Sequence, residues 1–415
     1  MNSIEPSVQS VKASDPQALT TLLNLPDFIV NALERNDPQR QVVWFCEPAY
    51  PVGVCPACLH LSTQIHDAEP RRVRDMTVGG YSAYLEFTQR RFECTLCQKP
   101  FTEQWESIGS YRRYTYRYEL YLCQQCHARS VRDVSRQEAL DYHAIEEIYL
   151  DWVERTRTTP LPTTPLRRLG IDEIALRKGR KDYVLVLTDL ERQCVLTVLP
   201  DRTKETLETY LDTWTPEQRA SVEQVAMDRW DPYRLAVEAK LSQAHIVADR
   251  FHVMQNLTAQ VTTARREIQR DVPDDEKEQL KGLRWILVKN AVTLNEPERA
   301  KLELMYALSP QLKQLHQLKE SFRTIFETQQ SRDQAATQLE GWITQVEALG
   351  VKSLGRFVGT LRNWWDYILN YFLDRVTSGF VEGMNNRLKL IKRRGYGYRN
   401  FEHFRLRVLE ECGTG

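Results

Sequence analysis

Three acids stand where they could do chemistry. They are Asp172 in Gly170-Ile-Asp-Glu-Ile-Ala-Leu, Asp228 closing Val222-Glu-Gln-Val-Ala-Met-Asp, and Glu382 in Gly379-Phe-Val-Glu-Gly-Met-Asn-Asn-Arg. Asp172 interrupts a short apolar run, where a carboxylate is costly to desolvate unless a cation or a set of donors meets it. Such an acid is a paired structural residue or a metal ligand. Three carboxylates at one point repel unless divalent cations neutralise them. Two Mg²⁺ (or Mn²⁺) ions so held can activate a water or a 3′-hydroxyl for in-line displacement at phosphorus. A fourth acid, Asp249, also ends an apolar run and opens Asp249-Arg-Phe-His252. Singly, Asp228 and Asp249 read as turn formers or helix caps and Glu382 as a surface partner of Arg387 or Asn386. His252 reads equally as a packed histidine.

A second constellation is made of thiols. Cys55-Pro-Ala-Cys58 and Cys94-Thr-Leu-Cys97 are two Cys-x-x-Cys knuckles flanking alternating, strand-like segments. Together they make a closed four-sulfur shell for one structural Zn²⁺. Cys46 reads as a buried thiol outside that site. Cys123 and Cys126 fall in a helical stretch, Tyr114 to Arg129, and read as packing residues rather than a second metal site.

The third feature is basic. From Gly383 to Arg407 there are eight Lys/Arg against a single acid, Glu402. On a helix, Glu382, Asn386, Lys389 and Arg393 share one face, while Met384, Leu388 and Ile391 share another. With Lys392 and Arg394, these cations are expected along DNA phosphates.

Strands and helices must carry these residues. Gly170–Leu176, Lys181–Leu190 and Cys194–Leu199 read as three buried strands separated by polar turns. A helix follows over Arg202–Trp214, a fourth strand at Val222–Asp228, a helix from Asp231, and a fifth strand at His245–Asp249. From about residue 253 to 370 the pattern is helical throughout, with Trp285, Trp342, Trp364 and Trp365 as core side chains or, alternatively, base-stacking platforms. Three strands, helix, strand, helix, strand and a late acid-bearing helix is the order of an RNase H-like fold. In that order the fourth strand lies beside the first, so Asp228 should neighbour Asp172 and Asp249 should be a helper.

Upstream, residues 110 to 155 read as a helix-turn-helix, with a short capped helix over Ser130–Leu140 and a second from Asp141. That second helix carries Glu146, Glu147 and Asp151 and no Lys or Arg through Val153. Only Tyr142 and His143 at its start are candidate base readers. Arg112, Arg113, Arg117, Arg132 and Arg136 are the candidate phosphate contacts. Before residue 40 the chain is polar, then helix-like over Leu19–Leu33.

A chain of 415 residues exceeds one ordinary domain, and its formal net charge of +0 confines any basic surface to local patches. No leader-like segment opens the chain and no apolar run has membrane-spanning length, which points to a soluble cytoplasmic protein with no membrane partner. Nine cysteines then argue for metal and reduced thiols over disulfides.

The chain resembles the DDE transposases of bacterial insertion sequences, most closely the ISL-three family, over nearly everything from Val42 to Leu409. The likeness is carried by Cys-Pro-x-Cys with Arg90-Arg-Phe-Glu-Cys-Thr-Leu-Cys97 and Phe101-Thr-Glu. It is also carried by Gly170-Ile-Asp-Glu173, Met227-Asp-Arg-Trp-Asp-Pro-Tyr233, Asp249-Arg-Phe-His252 and Gly379-Phe-Val-Glu-Gly-Met-Asn-Asn-Arg-Leu-Lys389. The resemblance implies an enzyme that binds its element's terminal inverted repeats and cuts and joins double-stranded DNA, associated with the nucleoid. Its Asp-Asp-Glu falls on Asp172, Asp228 and Glu382, its Asp-x-x-His on Asp249 and His252. Holding two DNA ends together calls for a homodimer. The alternatives are a catalytically silent DNA-binding descendant and a nuclease of the same fold.

The expected architecture is α/β and multidomain. It comprises an N-terminal arm (1–40), a zinc-binding β domain (41–108), a helix-turn-helix (109–156) and a linker (157–165). An RNase H-like domain with a mixed five-stranded sheet (166–256 and 371–415) follows, interrupted by an all-α insertion (257–370).

Overall fold

The structure, a computed structural model, describes residues 9–11, 15–157, 165–177, 182–271, 282–329, 331–375, 379–398 and 400–413. The expected linker at 157–165 and the turn at Lys178–Lys181 fall almost wholly outside them. The chain forms two compact units, Met1–Thr156 and Arg157–Gly415.

In the first unit, strand β1 (Gln9–Val11) precedes helix α1 (Pro16–Leu23). The Asp15 side chain accepts from the N–H groups of Gln17 and Ala18, and Pro16 takes the first helical position. The helix expected over Leu19–Leu33 stops early, because Asn24 turns left-handed at φ 52° and Pro26 follows. The rest of that stretch is strand β2 (Phe28–Asn36), which pairs antiparallel with β3 (Gln41–Pro48). Within the arm expected to end at residue 40, β1 and β2 thus form one edge of a sheet, and residue 41 begins β3. Phe28 and Val30 alternate into a core with Val42, Trp44, Val73, Leu85 and Phe87.

A short ribbon of β4 (Gly53–Val54) and β5 (Leu61–Ser62) leads into the long hairpin of β6 (Ile65–Val78) and β7 (Tyr81–Glu93). Strand β8 (Pro100–Thr102) pairs with β7, and the main sheet runs β1-β2-β3-β7-β6. Three helices follow: α2 (Tyr116–Ala128), α3 (Val131–Glu138) and α4 (Tyr142–Arg157). Thr115 caps α2 and Ser130 caps α3, each accepting a backbone N–H two positions inside its helix. Cys123 and Cys126 lie buried in α2.

The second unit holds a five-stranded sheet ordered β11-β10-β9-β12-β13. Here β9 is Arg168–Arg177, β10 Asp182–Asp189, β11 Cys194–Leu199, β12 Gln224–Met227 and β13 His245–Ala248. The first three pair antiparallel, and β12 and β13 run parallel to β9. Helices α5 (Lys204–Asp212) and α6 (Pro216–Ala220) connect β11 to β12, and α7 (Asp231–Lys240) connects β12 to β13. Helix α8 (Arg250–Ile268) carries the chain straight across the boundary expected at 257.

Every further described element up to Asp374 is helical. The α-helices are Leu283–Val288, Glu296–Leu308, Pro310–Thr328, Arg332–Leu349, Lys352–Asn363, Trp365–Leu369 and Tyr371–Asp374 (α9–α15). Their core is continuous with one face of the sheet: Ile171, Leu187 and Met227 belong to the same apolar cluster as Phe322, Trp342 and Phe357. Trp342 is 2% exposed, Trp364 is buried and Trp365 half-buried against the core, whereas Trp285 is 67% exposed with Arg284 over its ring. The opposite sheet face is covered by α16 (Gly379–Arg394) and α17 (Phe401–Cys412). Met384, Leu388, Ile391, Phe404 and Val408 pack there on Ile174, Val184, Val186 and Val195. Among the described residues, no helix is long and apolar enough to cross a membrane.

Candidate functional site

Side chains on a strand alternate between faces, so Asp172 points with Ile174 and Leu176 toward the layer of α16 and α17, away from Ile171. Gly170 precedes it because Thr188 lies against the strand there. A Cβ at residue 170 would come within 2.3 Å of Thr188 Oγ1. On one side Asp172 stands opposite Val186 of β10. On the other, Met227 of β12 registers with Ile171, so Asp228 comes one residue further on, level with Asp172. This neighbourhood is the one expected from the strand order.

Burial first and Asp228 second push the Asp172 carboxyl up to about 6. Two donors counter that. The Glu173 N–H donates to Asp172 Oδ1 at 2.6 Å, and Asn385 of α16 donates its side-chain amide to Oδ2. Glu173 itself points to the opposite face, where Arg202 Nη1 reaches both its oxygens at 3.0 and 3.1 Å and Tyr233 Oη donates at 3.2 Å.

Asp249 follows β13, and its side chain caps α8 by accepting from the Phe251 N–H at 2.8 Å. One turn into that helix, His252 Nδ1 lies against Asp228 and 3.0 Å from Asp249 Oδ2. Burial alone would depress the imidazole, but the two carboxylates outweigh it and raise its pKa to about 10. Ligand atoms of Asp228, Asp249 and His252 all lie within 4.8 Å of one another, a spacing that could hold a cation. Asp172 is brought to the same end of the sheet by register. Glu382 lies in α16 one turn before Asn385, and its side chain is outside the described residues.

Asn385 is absent from the residues that sequence reasoning selects, which favours its neighbour Asn386. One signal is available. Asn385 is three residues from both Glu382 and Leu388, at the margin of the apolar seam that faces β9. Asn386, Lys389 and Arg393 are exposed. Lys392 instead donates to the Ala175 carbonyl at 2.8 Å, and Arg394 pairs with Glu411 of α17. These two cations, expected along DNA, are tied to the fold by acceptors that the packing of α16 places beside them.

In the first unit, the four cysteines converge. The Cys55 and Cys97 sulfurs lie 3.6 Å apart and those of Cys58 and Cys94 3.5 Å apart. A tetrahedral ion with sulfur ligands at about 2.3 Å needs sulfurs about 3.8 Å from one another. Both knuckles repeat one turn: Leu59 N–H returns to Cys55 O at 2.8 Å and Gln98 N–H to Cys94 O at 2.9 Å, with Leu59 and Gln98 left-handed.

A family model described as "Transposase", of the DDE ISL3 type, matches residues 169–408. The chain belongs to the ISL3 family of insertion-sequence transposases. The first unit agrees, since "zinc-finger of transposase IS204/IS1001/IS1096/IS1165" matches residues 51–97 and "Helix-turn-helix domain of transposase family ISL3" matches 103–153. Among curated relatives, the chain is 29% identical to the transposase for insertion sequence element IS1001 of Bordetella parapertussis over 378 residues, 90% of this chain and 92% of that one. It is 26% identical over 259 residues, 57% of each chain, to the transposase for insertion sequence element IS1557 of Mycobacterium tuberculosis.

Within the helix-turn-helix of this family member, α3 and α4 fall close to their expected positions, and the acidity of α4 has a local explanation. Asp151 pairs with Arg112 and, at 3.0 Å, with Arg155, while fully buried Glu119 draws Arg112 at 3.7 Å and Arg155 at 3.4 Å. Buried Asp75 is likewise answered by Arg117. Arg112 and Arg117, expected on phosphates, are thus tied to acids of the fold, the buried Glu119 and Asp75 among them. Arg113, Arg132 and Arg136 are exposed. Tyr142 and His143 open α4 at the surface, both beside Glu146.

Proposed function

We propose that this chain is an active transposase that binds the terminal inverted repeats of its insertion sequence and cuts and joins DNA strands by a two-metal mechanism. The observation that carries this is the level pairing of Asp172 and Asp228 on parallel strands beneath the helix that bears Glu382. The sheet order and the helical run before α16 support an RNase H-like domain interrupted by an all-α insertion.

The donor set fits hard divalent cations. Two carboxylates adjoin, a third is on the covering helix, and Asn385 Oδ1 is buried beside Asp172 with no partner. Asp172, Asp228 and Glu382 would hold two Mg²⁺ or Mn²⁺ ions, which supply Lewis acidity at phosphorus and lower the pKa of a bound water or 3′-hydroxyl. The chain's own groups orient that set. Asn385 and the Glu173 N–H fix the two oxygens of Asp172, while Asp249 caps α8 and sets His252 against Asp228.

Zinc held by Cys55, Cys58, Cys94 and Cys97 would brace the first unit. Tyr142, His143, Arg113, Arg132 and Arg136 present a surface to the terminal repeats, and Asn386, Lys389 and Arg393 to phosphates of the repeat or target duplex. Two DNA ends require two active centres, hence a homodimer on DNA in the bacterial cytoplasm, at the nucleoid.

The test is purified protein with Mg²⁺ and a labelled end of its own element. Cleavage followed by joining to a second duplex is the expected result. Hydrolysis without joining would make it a nuclease of the same fold, and end-binding with no cutting would make it a silent descendant.

A further inference from the structure

Beside Asp228 there is a pocket of about 490 Å³, within the usual range of small-ligand sites, about 300–1,000 Å³. Its lining is not that of an apolar cleft. Trp230 supplies an indole that is 42% exposed and has Arg202 over its ring at 5.2 Å. Gln255 and Asn256, successive residues of α8, bring two side-chain amides. Arg229 lines the pocket too. Its Nη2 donates to the His252 carbonyl at 3.2 Å, while its Nε and Nη1 are buried without a partner.

Each group has a matching part in one chemical class. An indole offers a stacking face to a planar base. Asn and Gln amides pair a donor with an acceptor, as the edge of a base does. A guanidinium with unused donors suits a phosphate oxygen. Glu173 and Asp228 also line the pocket, Glu173 paired with Arg202 and Asp228 with His252. A base held in a duplex stack cannot offer its face to an indole, so the occupant is a base at a strand end or displaced from its neighbours.

We propose that this pocket receives one nucleotide of the DNA strand beside the catalytic acids. Its base lies against Trp230, with its edge at Gln255 and Asn256 and its phosphate toward Arg229. This rests on the transposase reading and adds a subsite to it.

The test uses the full chain with its zinc retained and no Mg²⁺ or Mn²⁺ added, so no strand is cut. A 5′-phosphorylated single-stranded trinucleotide with a central 2-aminopurine is titrated and its fluorescence followed. Stacking on the indole should quench it. Trp230→Ala should relieve the quench and weaken binding roughly 5- to 150-fold, the span of one base–aromatic stack. An abasic trinucleotide of the same charge should bind the wild type more weakly than the intact one binds Trp230→Ala, because it loses the edge contacts as well as the stack. The double variant Gln255→Ala, Asn256→Ala should weaken the intact probe and leave the abasic one unchanged. Equal quenching and affinity in wild type and Trp230→Ala, or equal binding of intact and abasic probes, would overturn the proposal. Because the assay needs no cleavage, its failure leaves the cutting-and-joining experiment standing, and the reverse holds as well.

Discussion

Asn385 donates its side-chain amide to Asp172 Oδ2, joining α16 to the centre of the sheet across 213 positions of chain. A hydrogen bond to an ionised carboxylate contributes about 1.5–3 kcal/mol, and this one opposes the burial and the Asp228 charge that push Asp172 up to about 6. Asn385→Ala should therefore leave binding to DNA ends intact and lower cleavage roughly 10–100-fold, as loss of a group that orients a ligand does. It should also raise the Mg²⁺ concentration needed for half-maximal cleavage. An unchanged Mg²⁺ dependence would remove the orienting role.

The level pairing of Asp228 with Asp172 sets the second acid of the triad. Asp172→Ala, Asp228→Ala and Glu382→Ala should each abolish Mg²⁺-dependent cleavage. Asp249→Ala should retain residual activity, because Asp249 already serves the Phe251 N–H and His252. Cleavage of a labelled element end by each folded variant is the measurement. A dead Asp249→Ala beside an active Asp228→Ala would reassign the triad.

Elemental analysis should find one zinc per chain. Cys55→Ser should lose it and the order of residues 51–97, with loss of end-binding, since a structural zinc shell contributes directly to folding. A Cys126→Ser variant should keep the metal.

Lys389 and Arg393 are exposed on α16, whereas Lys392 and Arg394 are occupied within the fold. Neutralising Lys389 and Arg393 together should weaken binding to every DNA sequence. It should also flatten the logarithmic salt dependence by about 0.9 for each phosphate that no longer meets a cation. Lys392→Ala and Arg394→Ala should act on thermal stability instead. A salt slope indifferent to Lys389 and Arg393 would return that face to solvent.

His316 gives the helical region a pH dependence independent of the acids. It is 2% exposed, accepts or donates at 2.8 Å with Tyr306 Oη, and sits near Lys319 and Glu320. Burial, then Lys319, lowers its pKa from 6.5 to about 4. As pH falls the unfolded chain takes up this proton first, so the stabilisation is complete above 6.5 and is lost progressively down to about 4. The total is about 3 kcal/mol. Denaturant unfolding of wild type and His316→Gln at pH 7 and pH 4.5 should show a smaller acid loss in the variant. Parallel losses would assign the acid sensitivity elsewhere.

The sequence by itself determined what local periodicity can encode. Short β-branched runs mark the five strands, and their order places Asp228 beside Asp172. Two Cys-x-x-Cys spacings mark the thiol cluster, and the seam of Met384, Leu388 and Ile391 marks the buried face of α16. Tertiary structure alone decided which neighbour uses each face. A period of 3.6 separates the sides of a helix but does not set its rotation against a strand. Only the packing of Met384 and Leu388 against Ile174 and Val186 turns Asn385, and not Asn386, toward Asp172. Arg112 and Arg117 read as free cations because Asp151 and Asp75, which hold them, lie 39 and 42 positions away. Leu19–Leu33 reads as helical until β3 offers Phe28–Asn36 a ladder. In each case the deciding interaction joins residues far apart in the chain, which meet only once the layers close.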